Sequence, residues 1–381
     1  MTHGFTVAAG WDLPVGDHSQ VHAAAALAGA AAAHARLVPA DRAACDLIAT
    51  ELATNLARHA RDGRLVATAT DPGPCAWVQL TAVDRGPGVA DVDAALADGY
   101  STANSLGGGL GACRRAAGAF DMYAAPGAGT VVVARVGAGS RLPGGAAASA
   151  GPAGPAGSGA PGVPAPPAVR VGGILSARPG ERESGDGWGI WWDAEGLTVV
   201  IVDGLGHGPE AARAREAGLR SAGERAPGAP ADLLTDLDRR LRGGRGAVGA
   251  VARLEHDQLH FGGIGNIGAR LSGARRAQGL VSGMGTLGLG QRLRPVATTL
   301  PWGPASVFSA HTDGIRPAWD LSRYPGAARR DPAILAALIW RDAPAGAASA
   351  LGRADDTAVV VVSGAAPEAR AAAGPAREAR A

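Results

Sequence analysis

Apolar runs closed by Gly, Pro and Asp punctuate this chain and predict its elements. The stretch 64–70 is framed by Asp62-Gly63 and by Asp71-Pro72-Gly73-Pro74, turn chemistry that predicts a strand between them. A second strand is predicted over 75–83, ending directly at Asp84, and a third over 129–136. Upstream, Asp17 followed by Gln20 resembles a capping box that opens an Ala-rich helix, and another helix is predicted over 40–60. Further on, 187–192 and 197–202 read as paired strands, the latter delivering Asp203 at its end. Strands are also predicted over 259–264, 305–309 and 357–362, and helices over 210–225 and 230–241. Both groups of elements mix helices with sheet, and no repeat of fixed period joins them.

Between them, from about 137 to 168, the pattern stops: RLPGGAAASAGPAGPAGSGAPGVPAPPA has almost no large apolar residue and cannot build a core. The expectation is a partly extended, mobile linker between two units with separate cores, which 381 residues are enough to supply. The tail after Gly364 is Ala-rich and is expected to be disordered.

Composition excludes some chemistry. The chain has no Lys, so a GxxxxGK[ST] phosphate loop and an ammonium nucleophile are both ruled out. Its net charge is +2, with Arg scattered among acids, which argues against nucleic acid as a partner. Cys45, Cys75 and Cys113 are widely spaced and lack CxxC pairs, so neither a disulfide framework nor a zinc knuckle is expected. The apolar run 21–38 carries His22, His34 and Arg36 and is too weak to span a membrane, so a cytoplasmic protein without a membrane partner is expected.

On the helix 40–60, Glu51 and Asn55 lie four residues apart and share a face, with His59 a turn further on. Alone, such a pair reads as a solvated helix surface. It is followed, however, by Asp84-Arg85-Gly86-Pro87-Gly88 at a strand end, by the flexible backbone of Gly107-Gly108-Gly109-Leu110-Gly111, and by Gly129-Thr130 opening a strand. In that order ELATNLARHA, DRGPGV and GYSTANSLGGGLGACRRAAGAFDMYAAPGAGT resemble the nucleotide-binding boxes of the GHKL ATPase/kinase superfamily. The likeness covers about residues 10–136 and is specifically to the RsbT-like switch kinases that phosphorylate STAS-domain anti-anti-sigma proteins. It implies Asn55 as ligand of the Mg²⁺ that accompanies ATP and Glu51 as general base for the attacking serine hydroxyl. Asp84 is implied to accept a hydrogen bond from the adenine amino group, with Gly86 and Gly88 letting the backbone pass the base and Thr130 supporting it. Gly107, Gly109 and Gly111 are implied to form the lid and the turn into a helix whose free N–H groups meet phosphate. His59 is assigned no chemical role.

In the second unit acids recur at strand ends: Asp186 in SGDGW, Asp203 in VVIVDGLGHG, Asp313 in SAHTDGI, and Asp355-Asp356 in RADDTAVVVV. Isolated Asp-Gly pairs are usually turns, but each of these adjoins an apolar strand, so several carboxylates can meet at one sheet edge and share cations. Over about 169–363 the pattern resembles the PPM phosphatase superfamily in its SpoIIE/RsbX-like branch, with DGLGHG before a helix as the specific signature. The resemblance implies two Mn²⁺ or Mg²⁺ ions, bridged by Asp203. Asp186 and the Gly204 carbonyl would serve one ion and Asp313 with Asp355 the other, Asp356 standing in for Asp355 if needed. It also implies hydrolysis by water without a phosphoenzyme. Arg178 and Arg182 are candidates for holding phosphoserine oxygens, or else belong to a solvated loop. His207 is expected to be mainly structural, His256 and His260 to flank a turn rather than hold zinc, and Gly262-Gly263 and Gly265-Asn266 to be structural.

The resulting expectation is an α+β chain in four parts. Residues 1–137 form a GHKL (Bergerat) α/β sandwich, 138–168 the linker, 169–364 a PPM-type αββα sandwich, and 365–381 the tail. The function expected is a partner-switching regulator whose kinase module and phosphatase module act on STAS-domain phosphoproteins. The alternatives are a phosphatase governed by a nucleotide-sensing first half, or a non-catalytic scaffold for a sigma factor or STAS protein. Further partners in view are a sigma factor, a downstream phosphatase and a second copy of the chain.

Overall fold

The computed structural model describes residues 3–89, 92, 109–140, 169–181, 183–273, 277–345 and 355–364. The first half comprises β1 (His3–Pro14), α1 (Val21–His34), α2 (Pro39–His59), β2 (Arg64–Thr70), β3 (Val78–Val83), α3 (Gly109–Ala116), β4 (Ala119–Ala124) and β5 (Thr130–Val136). The second begins with β6 (Val169–Ser176), β7 (Asp186–Trp192), β8 (Gly196–Gly204), α4 (Pro209–Arg225), α5 (Pro230–Arg240), β9 (Ala247–Glu255) and β10 (Gln258–Ile264). It continues through β11 (Gly268–Ser272), β12 (Gln278–Leu280), β13 (Thr298–Pro301), β14 (Val307–His311), α6 (Pro332–Asp342) and β15 (Thr357–Gly364).

The strands form two sheets. A ten-stranded sheet runs β13-β10-β9-β8-β7-β1-β2-β3-β5-β4, and a five-stranded sheet runs β12-β11-β14-β15-β6. The larger sheet crosses from one half to the other through β1. Its first residues, His3–Val7, pair with Trp192–Trp188 of β7, while Val7–Pro14 pairs with β2, the register shifting between Val7 and Ala9. At Gly10 the β1 backbone lies so close to β6 that a Cβ would stand 2.1 Å from the Leu175 carbonyl oxygen, which explains glycine there.

The core follows from the layers. Between the sheets lie Phe5, Val7 and Trp77 from the first half with Val171, Trp188, Ile190, Val360 and Val362 from the second. Helices α1, α2 and α3 cover one face of β1–β5, the Ala-rich α1 burying Ala24, Ala28, Ala31 and Ala32 against Ile48 and Leu52 of α2. Helices α4 and α5 cover the outer face of β7–β10 through Leu219, Leu233, Leu234 and Leu237. The chain is thus a mixed α/β molecule whose second half is layered helix, sheet, sheet, helix.

Helix α6 has no polar face. Pro332 to Trp340 are all buried, as expected of a helix apolar all round. It packs on Ile174, Val359 and Val361 of the small sheet and, from its other side, on Val66, Val83, Val131 and Val133 of the first half. Asp331 caps it, accepting from the Ala333 N–H at 2.9 Å, with Pro332 opening the first turn. The same carboxylate takes both nitrogens of Arg135 at 2.7 and 2.6 Å, a pair 1% and 15% exposed that ties β5 to α6.

The expected elements recur with ends shifted by a few residues, and β2 falls at the expected bounds. The Asp17/Gln20 capping box forms on the 3-10 turn His18–Gln20 that leads into α1, while α1 itself has no side-chain cap. β1, β4, β6, β9, β11, β12, β13 and α6 have no counterpart in the sequence reading. Each half keeps a cluster of its own, and strand pairing through β1 and the burial of α6 add two further clusters that hold residues of both halves. The linker reading falls, from 141 to 168, outside the described residues, as does the tail after Gly364.

Candidate functional site

Two polar sites are built on this frame. In the first, Glu51 and Asn55 stand half-buried one turn apart on α2. They face the start of α3: a Cβ added to Gly109 would lie 3.9 Å from Glu51 Oε2 and 4.0 Å from Asn55 Nδ2. The free N–H groups of the first turn of α3 therefore open beside an acid and an amide, an arrangement suited to phosphate oxygens and a hard cation. The Cys113 thiol on the same helix is pushed up to about 12, by burial first and then by the Glu51 charge, which places that carboxylate near the inner side of α3.

Asp84 closes β3 and is nearly buried. Burial raises its carboxyl, opposed by the Gly86 N–H, which donates to Oδ1 at 2.6 Å, by Arg341, and by Thr130. Its own N–H donates to the Thr130 carbonyl at 3.0 Å, so the two expected adenine-side residues are adjacent. Gly86 packs on the end of α2, where a Cβ would stand 3.0 Å from the His59 carbonyl; the His59 side chain is exposed. Gly88 has φ +74, and a Cβ there would meet the Ala125 carbonyl at 2.2 Å. Gly111 is buried within α3, and Gly107 lies outside the described residues.

The second site gathers the strand-end acids. Asp186 at the start of β7 and Asp203 near the end of β8 are partners across the antiparallel pair. Asp203 is pushed up to about 8, first by burial and then by the charges of Asp313, Asp355 and Asp356. Asp186 is raised well above the usual carboxylate range by burial and by Asp203, then Asp356. Its Oδ2 is buried without a hydrogen-bond partner. Asp313 follows β14, is raised by burial and by Asp355, and is held by the Asn266 amide, which donates at 2.9 Å. Gly204 lies beside this edge, its N–H donating to the Gly185 carbonyl at 3.0 Å.

Asp356 plays another part. Its carboxylate accepts from the Arg178 N–H at 2.7 Å and the Gly185 N–H at 2.6 Å, fixing the turn before Asp186, while Asp355 is exposed next to Asp313. Arg178 thus contributes its backbone to this edge, and Arg182 lies outside the described residues. His207 is exposed and pairs with Glu181 at 2.7 Å. His260 bonds Thr299 Oγ1 at 3.0 Å, and His256 sits in a left-handed turn at φ 52. Gly262 is crowded by Pro230 of α5, and Gly265 has φ +91, both structural uses of glycine.

Among the described residues, no group of three or more His, Cys, Asp or Glu side chains is already spaced to hold a metal ion. The donor set nonetheless fits a hard divalent cation: carboxylates and a backbone carbonyl, mutually repelling, with one buried oxygen left unpartnered. Sequence reasoning missed Asn266 as the hydrogen-bond partner of Asp313, and Arg341 at Asp84. The last contact joins positions 257 apart, and nothing local signals it.

Fold and sites together define a mixed α/β chain with one acid-and-amide site on a helix and one carboxylate cluster at a sheet edge. No family model matches it. Its N-terminal part is 32% identical over 95 residues to the serine/threonine-protein kinase RsbT of Bacillus subtilis (strain 168), covering 25% of this chain and 71% of the relative. The chain belongs to the RsbT serine/threonine-protein kinase family in that part. Solved structures align over about half of it. One is a chain from a study of the bacterial stressosome as "a modular system that has been adapted to control secondary messenger signaling", 27% identical at TM-score 0.46, covering 51% of this chain and 98% of that one. RsbX in complex with magnesium aligns at 18% identity and TM-score 0.45, over 51% and 94%. The catalytic domain of the phosphatase PstP with two manganese ions aligns at 14% identity and TM-score 0.40, over 51% and 97%. Among the described residues no helix is long and apolar enough to cross a membrane.

Proposed function

We propose that the chain is a bifunctional partner-switching regulator, a serine kinase joined to a metal-dependent serine/threonine phosphatase, acting on a STAS-domain phosphoprotein. The observation that carries the reading is the meeting of Asp186 and Asp203, from strands of the larger sheet, with Asp313 and Asp355, beside strands of the smaller one, in a chain whose α2 bears Glu51 and Asn55 in its RsbT-family part.

In the first site Glu51 would take the proton of the attacking serine hydroxyl, and Asn55 would hold the Mg²⁺ that accompanies ATP. The Asp84 carboxylate accepts from the adenine amino group, and the first turn of α3 receives phosphate oxygens. This set relies on positioning rather than on covalent chemistry, which suits phosphoryl transfer and requires no Lys.

In the second site Asp186, Asp203, Asp313, Asp355 and the Gly204 carbonyl would hold two Mn²⁺ or Mg²⁺ ions. Such ions supply neutralisation of the phosphate charge and activation of water. The chain's own contribution is spacing. Asn266 orients Asp313, and Asp356 fixes the turn that presents Asp186 by holding the Arg178 and Gly185 amides.

The test is incubation with ATP, magnesium and a cognate STAS-domain protein, followed by manganese. Phosphoserine on the partner rises and then falls. If phosphate is neither added nor removed, the proposal fails.

A further inference from the structure

The C-terminal half reaches the Asp84-Arg85 pair through two consecutive residues. Arg341, in the last turn of α6 and 8% exposed, donates from Nη1 to the Asp84 carbonyl at 2.8 Å. Asp342 aims it, accepting from Arg341 Nε at 3.0 Å and Nη2 at 2.8 Å. The same carboxylate pairs with Arg85 Nη1 at 2.8 Å and accepts the Tyr324 hydroxyl at 3.0 Å. Arg85 also donates to the Arg341 carbonyl. Two consecutive residues of one half therefore clamp both members of the Asp84-Arg85 pair of the other.

The next residues lead to the second site. Arg316 N–H donates to the Ala343 carbonyl at 2.8 Å and Ala345 N–H to the Gly314 carbonyl at 2.9 Å, while Ile315 and Pro344 form an antiparallel bridge. Gly314 directly follows Asp313 and rests on the backbone that opens β15: a Cβ there would stand 2.5 Å from the Asp356 carbonyl and 2.3 Å from Thr357 Oγ1. The segment 341–345 thus has the acid of one site at its first residue and the loop of the other site's acids along the rest. Burying the Arg341–Asp342 ion pair is costly where apolar side chains would pack as well, so packing alone explains the pair poorly.

We infer that Arg341 is a positioning residue of the nucleotide site, supplied by the opposite half, and that nucleotide occupancy at Asp84 is transmitted through 341–345 to the strand-end acids. The inference rests on the two-site reading above. A base that draws on the Asp84 carboxylate pulls on the Asp84–Gly86 turn. Arg341 and Arg85 move with it because Asp342 holds both, and the paired backbone carries the shift to Asp313. Linkage makes the effect reciprocal.

The experiment uses the full chain, p-nitrophenyl phosphate with fixed free manganese as the phosphatase probe, and ADP as a nucleotide that cannot donate a phosphoryl group. The readout is each variant's hydrolysis rate with saturating ADP divided by its own rate without, together with ADP affinity by calorimetry. For the wild type the ratio departs from unity by about fivefold or more. In Arg341→Met it collapses towards unity and ADP binds about tenfold more weakly. Arg341→Lys, which keeps a donor, recovers part of both. Arg330→Met cuts a different contact between the halves, the 3.3 Å pair with Asp121, and retains the wild-type ratio. A wild-type chain that hydrolyses the probe and binds ADP with a ratio of unity overturns the inference and leaves the two-site reading standing. A chain that neither hydrolyses the probe nor binds ADP overturns both. Equal loss of the ratio in Arg330→Met and Arg341→Met overturns the specific role of Arg341.

Discussion

Asp203 and Asp186 are carboxyls that the folded chain keeps protonated far above their ordinary range. Asp203 moves from 3.8 to about 8 because it is buried among other acids, and Asp186 is raised for the same reasons. The unfolded chain releases these protons near pH 4. Stability from this source is therefore complete below that pH and is lost as pH rises towards 8. Without divalent ions, the melting temperature of the wild type should fall more steeply between pH 5 and 8 than that of Asp203→Asn. Manganese should raise the wild-type value more at pH 8 than at pH 5. Identical pH slopes for the two proteins would refute the electrostatic account of the cluster. These acids were legible from sequence because each adjoins an apolar strand that delivers it to a sheet edge. The divided roles of Asp355 and Asp356 were not legible, since they depend on which backbone amides happen to lie opposite.

Helix α6 and strand β1 are the elements that turn two motif sets into one body. Neither was read from sequence, while β2, with turn signals on both sides, and α2 were. The difference is physical. β2 is specified by the turn residues on both sides and α2 by Pro39 at its first turn, whereas β1 is a strand only because β2 and β7 supply partners from distant parts of the chain. An apolar run such as 332–340 is a core helix only where two sheets enclose it. The 2%-exposed Trp340, whose indole donates to Ser176 Oγ at 2.9 Å, should cost about 3–5 kcal/mol when cut to Ala. Arg135→Met, which removes the buried guanidinium from the half-buried Asp331 and from Gln79, should cost about 2–4 kcal/mol. Both are measurable by urea unfolding, and a loss under about 1 kcal/mol in either would mean that α6 is not the joint described.

At the scale of the whole molecule, opposed chemistries would share a continuous ten-stranded sheet and common hydrophobic clusters rather than hang from a tether. The described body should accordingly unfold in one calorimetric transition, with coincident loss of nucleotide binding and of tryptophan burial, whereas two resolved transitions would indicate independent halves. The most direct test of the central claim is the steady-state phosphoserine occupancy of a cognate STAS-domain protein, measured by mass spectrometry with ATP, magnesium and manganese present. Wild-type chain should hold an intermediate level, Asp203→Asn should drive it towards full occupancy, and Glu51→Gln should leave it near zero while still stripping a pre-phosphorylated partner. Equal occupancy with all three proteins would contradict the account.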